Sequence, residues 1–222
     1  MPRPAVLTRE RIVEVAGEII DAEGLAALST RRLAAALSVR GPSLYNHFAG
    51  KDEILDAVAD TIVRGVDVSG FGTEPWGSAL RGWACSYRSA LREHPNIVPF
   101  LAQGPGRRPA QLAMADAVYG GLIDAGWPPA RATHIGALMR YFVAGSALGS
   151  FARGFIDDPS VYGERYPHLG DAHRLAGHQA SVDEGAFELG LDALIDGLTR
   201  SFPATDPHGK SSASAALIRL EA

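Results

Sequence analysis

The chain reads as all-α, and three observations predict it. Apolar residues recur at helical spacing along most of the 222 residues. No stretch reads convincingly as a strand, and "REHPN", "GPGRRP" and "GWPP" separate the periodic stretches. Hydrophobic residues make up 46% and charged residues 21%, enough apolar surface for a real core.

The first periodic stretch runs from Thr8 to Glu23. Ile12, Val15, Ala16, Ile19 and Ile20 share one face, Thr8 is placed to cap the start, and Gly24 sits at the C-cap. "STRRLAAAL" and "GPSLYNHF" follow as two short helices across the turn "SVR", the second opened by Pro42. "KDEILDAVADTIVRGV" is a longer amphipathic helix. "DVSGFGTEPWG" then breaks the pattern, dividing a front domain, 1–68, from a rear domain, 69–203. Helices are predicted in the rear domain near 75–93, 95–102, 108–125, 129–154 and 183–202. Residues 155–182 read as a long connection with at most one short helix, and 204–222 as a loosely ordered tail.

Charge locates the chemistry. Formal net charge is −4, so nucleic acid is not advertised by the whole chain. Yet between Ser29 and Lys51 there are four cations and no acid, and four acids follow between Asp52 and Asp60. Leu33, Leu37, Val39, Leu44 and Phe48 are spaced to pack on the first helix. Thr30, Arg31, Arg40, Ser43, Tyr45, Asn46, His47 and Lys51 are left outside. Two short helices across a tight turn can place the second in a DNA major groove. A surface facing phosphates excludes carboxylates and favours Arg, Lys, Ser and Tyr as donors. Composition alone leaves a solvated basic face equally open.

"LSTRRLAAALSVRGPSLYNHFAGKDEIL" resembles the N-terminal helix-turn-helix of the TetR family of bacterial transcription regulators. The likeness rests on T-x-R-x-L-A, P-S-L-Y-x-H-F and the K-D-x-I-L entry into the next helix. More loosely, "FELGLDALIDGL" is similar to the last helix of the tetracycline-repressor-like branch, which pairs subunits. The resemblance implies a homodimer on a palindromic double-stranded operator, released by a small organic effector and acting as a repressor. It places Thr30 and Arg31 against phosphate or a base, and Ser43, Tyr45 and His47 on the flanks of the recognition helix. Lys51 clamps a phosphate. Arg40 and Gly41 fall at base-reading positions; Arg40 suits guanine O6 and N7, whereas Gly41 offers no side chain. Pro42 is placed to meet a thymine methyl.

The rear domain supplies a candidate subunit interface, Phe187, Leu191, Leu194, Ile195, Leu198 and Phe202, and a 129–154 helix apolar nearly all round. Aromatic residues gather where the family keeps its effector pocket. The expected effector contacts are Trp83, Tyr87, Phe100, Met114, His134, Leu138, Tyr141 and Phe142, with Tyr119, Trp127, Met139 and Arg140 near them. A tetracycline–magnesium effector is not expected. The two metal-linked positions of those relatives fall on Phe100 or Leu101 and on Gly149, and a drug-gripping asparagine is matched by Trp83.

Several other functions are excluded or set aside. Cys85 is the single cysteine, so no intrachain disulfide forms, which suits a cytoplasmic location; a buried thiol is the plain reading. Met1-Pro2-Arg3-Pro4 leads into no apolar signal segment, and Arg140 interrupts the longest apolar run, so no membrane span is expected. His168, His173 and His178 step by five residues among glycines and read as a solvated connection, not a metal site. No phosphate loop, nucleophile elbow or cysteine-ligand spacing appears, so neither a cofactor nor enzymatic turnover is expected. The alternative is an all-α small-molecule-binding protein or enzyme with no DNA role.

Overall fold

The computed structural model describes residues 7–104, 106–163 and 165–202; the expected tail at 204–222 lies outside them. Among these residues every regular element is helical. Helix α1 (Arg9–Glu23) starts at Thr8, whose side chain accepts from the Arg11 N–H. It ends where Gly24, at φ +88°, donates its N–H back to the Ile20 carbonyl. A 3₁₀ turn, Leu25–Ala27, leads to α2 (Thr30–Ala36), capped by the Ser29 hydroxyl accepting from Arg32 N–H. Ser38, at φ +56°, turns the chain into α3 (Gly41–Leu44).

Helix α3 is shorter than the 41–48 expected. Its axis continues as turn: Tyr45 N–H bonds to the Pro42 carbonyl, and the N–H groups of His47 and Phe48 both reach Leu44. The apolar plan holds. Ile12, Ile20, Leu33, Leu44 and Phe48 are buried together, and α4 (Lys51–Arg64) closes this three-helix front with Ile54, Leu55 and Val58.

The rear is built from α5 (Trp76–Glu93), a single-turn α6 (Val98–Leu101), α7 (Pro109–Asp124), α8 (Pro129–Ala147) and α9 (Gln179–Ser201). Helix α4 packs on both α1 and α7, so the front and rear cores are continuous through it. The α8 helix stops at Ala147 instead of reaching 154. Gly149 adopts φ +142°, and Phe151–Gly154 is a separate 3₁₀ turn. The expected connection 155–182 carries three 3₁₀ turns, Pro159–Val161, Pro167–Leu169 and Ala172–His178. Helix α9 begins at Gln179, four residues earlier than its periodicity suggested.

The α9 stripe expected to pair subunits faces inward. Phe187 and Leu191 are buried, and Leu194, Ile195, Leu198 and Phe202 pack on the chain's own core. Phe202 stacks on Trp76 at 5.6 Å and meets Trp127 edge-on at 5.0 Å. The face left open is the other one, with Ala186, Leu189 and Ala193. No described helix is long and apolar enough to cross a membrane.

Candidate DNA-binding face and effector cavity

Helices α2 and α3 frame an open groove of about 480 Å³ whose rim includes Thr30, Arg31, Gly41, Pro42 and Tyr45. Tyr45, Asn46, Arg40 and Pro42 are exposed, and Thr30, Ser43, His47 and Lys51 are partly covered at the same end of the molecule. The four cations divide. Arg32 turns away and pairs with Glu23 at the end of α1, its Nε 3.1 Å from Oε1, and that hydrogen bond holds the Glu23 carboxyl below its usual range. Among the described residues Arg31, Arg40 and Lys51 form no ion pair, so their charge stays available to an outside partner. A Cβ built on Gly41 would meet nothing within 4 Å, so this position is open space at the helix start.

One support for this face could not be found in the sequence. The Arg9 guanidinium reaches across from α1 to Glu53 at 2.7 Å, donates to the His47 carbonyl and lies 3.9 Å from the centre of the Phe48 ring. Glu53 in turn accepts from the Ala49 N–H at 2.7 Å. That backbone bond, then Arg9, holds its carboxyl below the ordinary value. The clamp fixes the turn that presents His47 and Lys51.

In the rear, α5, α7 and α8 enclose a cavity of about 30 Å³ walled by Trp83, Gln111, Met114, Val118, Tyr119 and Arg140, with Gly136 beneath Tyr119. That is room for about one water molecule. Its polar groups are short of partners. The Trp83 indole N–H is buried with no hydrogen bond, and the buried Gln111 amide reaches only the Tyr87 hydroxyl, in poor geometry. Each such group costs about 1–3 kcal/mol unless something satisfies it. Arg140 donates to the Leu101 carbonyl at the end of α6. Tyr87 stacks on Trp83 at 5.8 Å, and burial pushes its phenol up, opposed chiefly by the charge of Arg140.

The expected effector contacts are thus only partly brought together. Trp83 and Met114 reach the wall, with Tyr87 behind Trp83. His134, Leu138 and Tyr141 do not: they lie on the outer face of α8, with Tyr141 72% exposed. The helix presents Ile135, Gly136, Met139 and Val143 inward instead, a rotation the nearly uniform greasiness of α8 concealed. Phe142 stacks on Phe187 at 5.3 Å against Gly190 of α9, and Phe100 lies beneath the Arg108 guanidinium at 5.0 Å. Neither lines the cavity. Gln111 was missed because a lone glutamine among Ala, Leu and Met carries no motif.

Cavity and DNA face are joined at the α4–α7 contact. Asp60 of α4 accepts from the Ala110 N–H at 2.6 Å and pairs with Arg64 at 3.1 Å. Arg108, buried just before α7, lies 3.6 Å from Asp56 of α4 and donates to the Gly104 carbonyl.

Comparison with known proteins agrees with this architecture. The family profile described as "Bacterial regulatory proteins, tetR family" matches residues 12–58, and "Tetracyclin repressor-like, C-terminal domain" matches residues 71–202. The tetracycline repressor protein class C of Escherichia coli is 34% identical over 205 residues, covering 87% of this chain and 91% of that one. The Streptomyces coelicolor TetR family protein ActR, solved in complex with (S)-DNPA, superposes with a TM-score of 0.74. It is 30% identical, covering 89% of this chain and 99% of its own. A TetR variant from Acinetobacter baumannii, solved with minocycline, superposes at 0.66 with 26% identity, covering 89% of this chain and 99% of its own. A helix-turn-helix face, a cavity behind it and matches across both halves lead to one conclusion: the chain belongs to the TetR family and is a ligand-responsive, DNA-binding transcriptional regulator.

Proposed function

We propose that two copies of the chain bind a palindromic operator and repress from it until a small organic effector enters the α5–α7–α8 cavity. The observation that carries the DNA reading is the acid-free rim at α2–α3, where Arg31, Arg40 and Lys51 keep their charge while Arg32 is consumed by Glu23. Thr30, Arg31, Ser43, Tyr45, His47 and Lys51 serve the phosphates, and Arg40, Gly41, Pro42 and Asn46 lie nearest the base edges. One such face binds weakly; two related by a twofold axis reach half-sites about one helical turn apart. The second copy covers the outer faces of α8 and α9, where Leu138, Tyr141, Leu148 and Leu189 stand exposed on a single chain.

Effector and operator oppose each other because α4 carries part of the DNA face and packs on α7, a wall of the cavity. Its N-terminus carries Lys51, and its later turns hold α7 through Asp56 and Asp60. An effector that displaces α7 or the end of α6 moves α4 and changes the spacing of the two recognition helices. Each ligand then weakens the other by the same factor. The chain binds its effector rather than transforming it, and acts in the cytoplasm where its operator lies.

Selection of bound sequences from a random duplex pool tests this reading. The expected result is an inverted repeat with half-sites about one turn apart. Absence of any enriched sequence at low salt, where phosphate contacts are strongest, overturns it.

A further inference from the structure

The cavity walls carry a cation and no anion. Among the described residues Arg140 forms no ion pair, and its guanidinium is held by the Leu101 carbonyl. The carboxylates of this region, Asp56 and Asp60, sit on α4 and are engaged by Arg108, Arg64 and the Ala110 N–H. Beside Arg140 are the buried Trp83 indole N–H, which has no partner, and the Gln111 amide, which shares the Tyr87 hydroxyl with Arg140. The rest of the wall is Met114, Val118 and the ring of Tyr119. Donors thus outnumber acceptors, the net charge is positive, and the apolar part is flat and aromatic.

We propose that the effector is a planar aromatic acid, its anionic oxygens paired with Arg140 and its ring laid along Trp83 and Tyr119. This rests on the reading of the cavity as the effector site and adds the charge and shape of what enters it. A guanidinium fork fits two acidic oxygens in one plane, and the indole and amide donors satisfy the oxygens that remain. A ligand carrying a divalent cation meets Arg140 as a like charge. The space of about 30 Å³ is too small for a ring, so Tyr119 must move aside. Its ring rests on the bare backbone of Gly136, with no β-carbon there to hold it.

The same pairing explains how occupancy is felt outside the cavity. The guanidinium that takes the acid is the one holding Leu101, and Arg108 holds Gly104 three residues later while facing Asp56 of α4. An acid that draws Arg140 away loosens the end of α6, at the point where the chain runs toward the Arg108–Asp56 contact.

Calorimetric titration of the full chain with matched acid and amide pairs tests the proposal: benzoate and benzamide, 2-naphthoate and 2-naphthamide, anthraquinone-2-carboxylate and its carboxamide. At least one acid is expected to bind roughly tenfold or more tighter than its amide, the scale of a hydrogen bond to a charged group. Arg140→Gln should erase that preference. If every amide binds as tightly as its acid, and Met114→Trp, which fills the cavity, abolishes both, the site stands and the acid proposal falls. A preference that survives Arg140→Gln also overturns it. If no probe binds, or binding ignores Met114→Trp, the effector-site reading falls together with the proposal.

Discussion

Asp60 of α4 caps a helix to which it does not belong. Its carboxylate accepts the Ala110 N–H at 2.6 Å in the first turn of α7. Arg108, the residue at the α7 N-cap, offers no side-chain cap, and Pro109 has no N–H to satisfy. The negative charge also lies at the positive end of the α7 dipole. Front and rear are therefore joined by a partly buried, charge-assisted bond.

Removing that acceptor is expected to cost about 1–3 kcal/mol, the scale for a buried group left unpaired. Asp60→Ala should show it as a lowered midpoint in urea with unchanged slope. Asp60→Asn keeps an oxygen for Ala110 and should lose less. Equal losses for the two variants would mean the bond to Ala110 is not what Asp60 contributes.

The open cations of the front face separate by role. In the proposed complex Lys51, at the start of α4, is assigned to backbone phosphate. Lys51→Ala should weaken binding to all duplexes alike and flatten the salt dependence by about one unit per subunit. Arg40, at the N-cap of α3, is the proposed base reader. Arg40→Ala should relax choice at one position of the half-site, by about 1–3 kcal/mol of discrimination. A selection experiment with each variant distinguishes them, and unchanged preference in the Arg40 variant removes it from the readers.

Acid should loosen the front before it harms the aliphatic core. The Glu53 carboxyl is held below its ordinary 4.5 by the Ala49 N–H and then by Arg9. A depressed carboxylate contributes stability above its unfolded-state value and loses it as pH falls through the folded one. Glu53→Gln should therefore melt below the native chain near neutrality. The gap should close as pH drops below 4.5, where the native glutamate takes up its proton. A gap that persists in acid would place the effect in packing, not charge.

Tyr119 and Gly136 are fitted to each other. A methyl group at Gly136 would overlap the Tyr119 ring, with Cδ1 at 2.8 Å from the added carbon. Overpacking of this kind costs about 1–3 kcal/mol. Gly136→Ala should be destabilised by that amount in thermal melts. Tyr119→Ala introduced beside it should give a double variant more stable than the sum of the two losses, since the ring that clashed is gone. Simple additivity would show that the ring already has another place to go.

How much of this was legible follows from which signals are local. The α1 face, the Thr8 and Ser29 caps and the packing of Leu33, Leu44 and Phe48 rest on neighbours a few residues apart, and the sequence carries them. The end of α8 is hidden because the apolar run continues to Phe151, past Gly149, whose φ of +142° leaves the helical region. Rotation was harder still. Where α8 and α9 are apolar on several sides, periodicity cannot say which side faces home. The sequence therefore turns His134, Leu138 and Tyr141 toward the pocket and Phe187 and Leu191 toward a partner, and the packing reverses both. The Arg9–Glu53 and Asp60–Ala110 contacts join residues 44 and 50 positions apart, and no spacing rule reaches that far.

The reversed face of α9 gives the test of pairing. Leu189 is 74% exposed on a single chain, between Ala186 and Ala193, and small residues of this kind allow close approach of a second helix. Leu138 and Tyr141 on α8, and Leu148 just past its end, extend the exposed apolar surface. Leu189→Asp touches no buried contact within the chain, so the monomer's own stability should change by no more than about 0.5 kcal/mol. In the proposed dimer, however, it places an unpaired carboxylate in the seam between the two copies, which is strongly unfavourable. Sedimentation velocity at micromolar concentration should show the native chain at dimer mass and the variant at monomer mass. Operator affinity should fall with it, because each recognition helix is then left to bind alone. A variant that stays dimeric would move the interface off this face.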